Sequence, residues 1–213
     1  MNSICFIVGE RGINKLIEDE IKMSKPKILL VHALKAEMTK IHNDSFRFET
    51  LICGVGKVNS SLNLLQYLYD YEPDLVINIG TSGSVKHKVG SIHWCNEFVD
   101  RDMEIVKEFG APHRLNFSSE ISDIEWLNVP SRTAVCNTGD QFLTDVDIQA
   151  DVFDMEGFAL ALACKKYGVP MFSVKYVTDI IGQNSIAAWE VKLEEARNGL
   201  TKYMEDLFNT MKS

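Results

Sequence analysis

The chain has 213 residues, of which 46% are hydrophobic and 24% charged, with a formal net charge of -8 at pH 7. This balance excludes a disordered segment and predicts one globular domain with a buried core. A pI near 5.2 disfavours a nucleic-acid backbone or an anionic membrane, both of which need a basic face, so the expected partner is a small, weakly charged molecule.

The opening stretch "MNSICFIVGERG" lacks a basic start, and its apolar run stops at Gly9 and Glu10, so it does not read as a signal peptide. No uninterrupted apolar stretch approaches the roughly 18 residues of a membrane helix. "MSKPKILLV" from Met23 reads as a natural start. Residues 1–24 are therefore expected to be a peripheral extension and residues 25–213 a single domain.

Short apolar runs rich in branched residues then follow: "KILLVHA" from Lys27, "FETLICG" from Phe48, "DLVINIG" from Asp74, "SIHWC" from Ser91, "RTAVCN" from Arg132 and "MFSVKYV" from Met171. They predict strands, several buried on both faces. Helical patterns lie between them: "KVNSSLNLLQYLYDY" from Lys57, and "MEGFALALACKKYG" from Met155, closed by Gly168 and Pro170. A last helix from about Ala187 repeats apolar residues at Leu193, Ala196, Leu200, Tyr203, Leu207 and Met211. Residues 108–131 show little periodicity and read mostly as loop. The alternation predicts an α/β fold, a three-layer α/β/α sandwich around a mixed, largely parallel sheet, with ligands at the strand C-termini.

The five cysteines, Cys5, Cys53, Cys95, Cys136 and Cys164, are scattered, with no C-x-x-C pair and no histidine at metal-ligand spacing. They read as reduced thiols of a cytoplasmic protein, and no metal site is expected.

Chemistry-bearing residues gather where strands end. "HALKAEM" puts Glu37 beyond the first strand; "CGVGKVN" and "NIGTSGS" are glycine-bearing turns; "NTGDQFL" carries Phe142; "DMEG" carries Asp154 and Glu156; and Asp179 follows the strand in "YVTDII". Each alone has an ordinary explanation: a helix-terminal charge, a tight turn, a core aromatic, a cap. Neither glycine turn is a Walker loop, because Lys57 is followed by Val58 and no glycine stands five positions before Gly56.

Together and in order, "ALKAEM", "CGVGKVNSSL", "DLVINIGTSGS", "VGSI", "GDQF", "DMEGFALALAC" and "VTD", spanning about residues 27–180, resemble the nucleoside phosphorylase and nucleosidase superfamily. The resemblance is greatest to its 5′-methylthioadenosine/S-adenosylhomocysteine nucleosidases. It implies the corresponding nucleoside phosphorylase-like fold, hydrolysis of a purine N-glycosidic bond, no metal or organic cofactor, and a homodimer. It further implies that Glu156 accepts hydrogen bonds from the ribose hydroxyls while Met155 packs on the sugar, with Asp154 capping the helix. Phe142 would stack on the base and the Leu143 backbone read its edge. Asp179 would give a proton to, or share one with, N7 of the leaving purine, and Glu37 would position and deprotonate the attacking water. Val55, Thr81, Ser82 and Gly83 would line the site.

Such a reaction passes through an oxocarbenium-like sugar, so one group must neutralise the leaving base and another hold the nucleophile. Asp179 can act as an acid near neutral pH only if burial lifts its carboxyl above the ordinary range. Glu37 must stay ionised and is therefore expected in a wetter place.

Two other functions remain open at this point: a phosphorylase on the same scaffold, and a silent nucleoside-binding protein. Phosphorolysis needs cations for a dianion. Asn78 stands where the resembling phosphorylases have an arginine, and Glu37 stands in the loop where they hold phosphate; both favour water. Lys175 replaces an arginine of the nucleosidases and keeps a residual anion role open. The short loop after "RDME" leaves the 5′ substituent undetermined, and Trp189 in "AAWEVK" either covers the site or packs.

Overall fold

The computed structural model describes residues 25–141, 143, 150–183 and 185–211, with only the backbone of 185–188. Residues 1–24 and Phe142 lie outside the described residues. The strands are β1 (Lys27–His32), β2 (Arg47–Ile52), β3 (Leu75–Ser84), β4 (Ile92–Asp100), β5 (Arg114–Asn116), β6 (Ala134–Thr138), β7 (Val152–Asp154) and β8 (Met171–Ile180). The helices are α1 (Lys57–Tyr71), α2 (Arg101–Glu104), α3 (Ser118–Ser122), α4 (Gly157–Tyr167) and α5 (Ser185–Thr210).

The eight strands among the described residues form one mixed sheet. β1 pairs in parallel with β2 and β3, and β3 in parallel with β8. β8 runs antiparallel to β4, β4 parallel to β6, β6 parallel to β7, and β7 meets β3 antiparallel at Gly83↔Phe153. The long β3 thus carries β1 along its first half and β7 at its end, and five strands close on themselves. The C-terminal ends of β3 and β8 are enclosed as a result, which is where the sequence had placed its glycine turn and Asp179.

Periodicity explains the helices. In α1, Leu64 and Leu68 are one turn apart and fully buried, each contributing about 1.5–3 kcal/mol by leaving water. The helix stops where Glu72 turns left-handed at φ 42 ahead of Pro73. α1 packs on α4, and α5 on β8, β3 and the Lys35–Glu37 turn. In α5 the buried stripe is Ala196, Leu200, Met204 and Phe208, rotated from the expected face, which leaves Tyr203 and Leu207 at its margin. Phe208 packs edge-on to Phe48 and tilted on Phe46, fastening the helix end to β2.

The sequence missed β5 and β7, each three residues long, too short to show alternation. The stretch 108–131, expected as loop, also holds α3 and buries Phe117, Ile121 and Leu127. No described helix is long and apolar enough to cross a membrane.

Candidate active site

A cavity of about 310 Å³ opens at the C-terminal ends of β1, β3 and β8, a volume suited to a small organic ligand. Every sequence-selected site residue that is described lines it. Glu37 comes from the turn after β1, Val55 from the turn before α1, and Thr81, Ser82 and Gly83 from β3. Leu143, Met155 and Glu156 enter from the β6 and β7 side, and Lys175 and Asp179 from β8.

Glu37 is not in the wetter place the sequence reading expected, being only 4% exposed. Its hydration is replaced by fixed donors. Oε1 accepts from Thr81 N–H at 3.0 Å and from the Thr81 hydroxyl at 2.6 Å, and Oε2 from Leu34 N–H at 3.3 Å. Two backbone N–H groups and one hydroxyl thus satisfy the buried carboxylate.

The opening of α4 separates two buried carboxylates. Asp154 accepts from Gly157 N–H at 2.9 Å and from the Thr138 hydroxyl at 2.6 Å, so it binds the first N–H of α4 from outside the helix, while the N-cap position itself, where the cap was expected at Asp154, is Glu156. Asp154 also lies 2.8 Å from Lys175 Nζ. Burial alone would raise its pKa, but Lys175 and these hydrogen bonds hold it below the ordinary range. Lys175 responds in kind: burial would lower it, yet Asp154 holds the ammonium well above its usual value. Lys175 lines the cavity with its charge already paired, which is the physical reason it does not present a free anion site. Among the described residues, no such cation stands at ion-pair distance from Glu156. Its Oε1 accepts from Gly56 N–H at 2.9 Å, and burial followed by the Asp154 charge pushes its carboxyl up to about 7. Gly56 sits at φ +87, with room for a side chain closed off by Asp140 Oδ1 at 3.1 Å from a built Cβ, so glycine is required for the N–H to point at Glu156.

Asp179 is aimed by an irregularity in the sheet. Val177 faces Ser82, but Asp179 faces Gly83, so Thr178 is an extra residue on β8. The Thr178 hydroxyl lies 2.8 Å from Asp179 Oδ1 and 3.2 Å from Ser82 O. With a single proton to donate, the Thr178 hydroxyl can satisfy only one of these two acceptors at a time. A Cβ on Gly83 would come within 3.1 Å of Asp179 Oδ2, whereas Gly80 lies beside Glu37 Oε1. At about 3.3 Å of rise per residue, Gly80 and Gly83, the residues that these carboxylates approach, lie roughly 10 Å apart along β3.

Arg101 also lines the cavity, and the sequence reading missed it, since a charge at the start of "RDME" reads as a solvated helix end. It is 7% exposed. Its guanidinium donates to Asn137 O at 2.9 Å, Asp154 O at 3.3 Å, Gly139 O at 2.9 Å and Gln141 O at 2.7 Å. A Cβ on Gly139 would stand 2.6 Å from its Nε. Lys57 completes the brace, its Nζ lying 3.0 Å from Asp100 Oδ1 and 2.7 Å from Asp102 Oδ2.

A family model described as the phosphorylase superfamily matches residues 49–211. The chain belongs to the phosphorylase superfamily. The 5′-methylthioadenosine/S-adenosylhomocysteine nucleosidase of Chromohalobacter salexigens is 31% identical over 169 residues, covering 67% of this chain and 71% of that protein. The adenine-bound 5′-methylthioadenosine/S-adenosylhomocysteine nucleosidase of Colwellia psychrerythraea shares the fold, with a TM-score of 0.73, 22% identity, and 87% and 96% of the two chains covered. The futalosine hydrolase of Helicobacter pylori shares it too, with a TM-score of 0.71, 17% identity, and 86% and 97% coverage. The nucleoside phosphorylase-like α/β fold expected from the sequence is therefore the fold of this chain.

In this phosphorylase-superfamily chain, Asn78 is committed to the sheet. Its amide donates to Val31 O at 3.2 Å and its oxygen accepts from the Ser173 hydroxyl at 3.0 Å. Among the described residues lining the cavity, the two cations are Arg101 and Lys175, the first bound to carbonyls and the second to Asp154. Neither is left for a phosphate dianion.

Proposed function

We propose that the protein hydrolyses the N-glycosidic bond of a purine nucleoside, 5′-methylthioadenosine and/or S-adenosylhomocysteine, releasing adenine and the ribosyl sugar. The observation that carries this reading is the pair of buried carboxylates on one cavity, Glu37 and Asp179, spaced along β3 with the Glu156 carboxylate beside them.

A ribose lies against Met155, its hydroxyls donating to Glu156. Leu143 offers its backbone to the base edge. As the glycosidic bond lengthens, Asp179 delivers its proton to N7, and electron density on the purine is neutralised as positive charge grows on the sugar. Glu37 holds water on the other side and takes its proton. Val55, Thr81, Ser82 and Gly83 shape the walls and exclude bulk water. Hydrolysis is favoured over phosphorolysis because a carboxylate stands at the nucleophile position and the nearby cations are already engaged.

The chain acts as a cytoplasmic homodimer in this reading, supported by four described cysteines that are free and buried and by exposed apolar residues on α1, Val58 and Leu62, near exposed Val55. The test is adenine or hypoxanthine release from 5′-methylthioadenosine, S-adenosylhomocysteine, adenosine and inosine, each with and without phosphate. Release without phosphate, with free sugar as product, is expected. Turnover only with phosphate would establish a phosphorylase, and ligand-induced melting shifts without turnover a binding protein.

A further inference from the structure

The indole of Trp189, at the start of α5, lines the cavity and donates from Nε1 to the Thr81 hydroxyl oxygen at 2.9 Å. An indole N–H can only donate, so this contact occupies a lone pair of Oγ1. The one hydroxyl proton of Thr81 then points to its other near partner, Glu37 Oε1, at 2.6 Å. The proton order runs one way, from Trp189 through Thr81 to Glu37. Each bond polarises the next.

This order divides the labour of the two Glu37 oxygens. Oε1 already accepts both the N–H and the O–H of Thr81. Among the described residues, Oε2 receives only the longer contact from Leu34 N–H at 3.3 Å, and so keeps acceptor capacity for water. Without Trp189, the Thr81 hydroxyl could rotate, accept from a neighbouring water and release Oε1. The carboxylate would then have two competing binding modes.

We propose that Trp189 is a positioning residue for the water-activating carboxylate, fixing the direction of the Thr81 proton and thereby which oxygen of Glu37 faces the nucleophile. The proposal rests on the hydrolase reading for its kinetic consequence, but the hydrogen-bond relay itself does not.

The test uses Trp189→Phe, which keeps an aromatic ring and removes the donor, and Thr81→Val, which keeps the volume and removes the hydroxyl. In the wild-type background, Trp189→Phe is expected to lower kcat about tenfold with KM changed less than about twofold, the scale of one hydrogen bond to a charged group. In the Thr81→Val background, the same change is expected to cost nothing further. Independently of turnover, the Trp189 indole N–H resonance, identified by its loss in Trp189→Phe, is expected to shift in both Thr81→Val and Glu37→Gln. Additive rate losses in the double variant, or an indole resonance that ignores both substitutions, would overturn the relay. If the native protein turned over no nucleoside, the resonance would still decide the relay, and the failure would belong to the hydrolase reading.

Discussion

Lys175 Nζ lies 2.8 Å from Asp154 Oδ2, with the two side chains 2% and 1% exposed. The pair fastens β8 to the end of β7 directly beneath the cavity. Removing one partner leaves an uncompensated buried charge, so Lys175→Met is expected to cost about 3–5 kcal/mol of folding stability, read by urea denaturation. The Asp154 pKa is depressed in the fold, so its contribution is present above the ordinary carboxylate pKa and is lost as pH falls through the lowered value. Stability that stayed flat through acid titration, or was unaltered in Lys175→Met, would contradict the pairing.

Glu156 gives the opposite sign. Its carboxyl is raised from 4.5 to about 7, so the stability it contributes is present below its unfolded pKa and is lost as pH rises through the folded one. The loss is of order 3 kcal/mol between those limits, and Glu156→Gln is expected to remove that slope. Ribose hydroxyls donate best to the ionised form. Nucleoside affinity in the native protein is therefore expected to rise as pH increases through about 7, whereas in Glu156→Gln it should be weaker and lack that rise. Calorimetric titration across this range checks both.

Asp179→Asn is expected to lose most of the rate while still binding nucleoside, because an amide keeps the shape but cannot deliver the proton to N7. A loss of about 10²–10⁴ in kcat is the usual scale for a positioned general acid. Single-turnover kinetics alongside equilibrium binding separate the two. Near-normal turnover would overturn the proposed proton delivery.

Glu37→Gln is expected to reduce kcat on a similar scale while leaving adenine affinity within about threefold, since its contacts in the site run to Thr81 and Leu34 and away from Asp179. An adenine dissociation constant weakened in parallel with the rate would assign Glu37 to base recognition instead.

Gly139→Ala places a methyl where Arg101 Nε now sits, 2.6 Å away. Four carbonyl contacts on residues 137–154 then have to shift. We expect KM to rise about tenfold or more with a smaller change in kcat, because the segment leading to Leu143 is displaced, at a cost on the scale of one or two charged hydrogen bonds. A kcat-only effect would show that the segment does not hold the base.

Much of the fold was legible because its strands are apolar runs bounded by glycines and its helices carry a 3.6-residue stripe. Those signals are local. Glu37, Glu156 and Asp179 were legible as cavity-lining candidates because they stand in motifs at strand ends, although the roles proposed for them came with the family resemblance. β7 was invisible: three residues cannot display a period, and only its closure against β3 and β6 makes it a strand.

By itself, the amino-acid sequence determined the α/β class and the strand-end location of the cavity, since hydrophobic periodicity and turn chemistry act between near neighbours; most of the lining residues came with the family resemblance, and Arg101 was missed. Only the tertiary structure decided what each charge faces. Lys175 and Asp154 stand 21 positions apart in the chain, and Trp189 and Thr81 stand 108 apart. Whether a cation is free or paired, and whether a buried glutamate is hydrated by water or by fixed donors, depends on desolvation and distances across the fold, which no local pattern encodes.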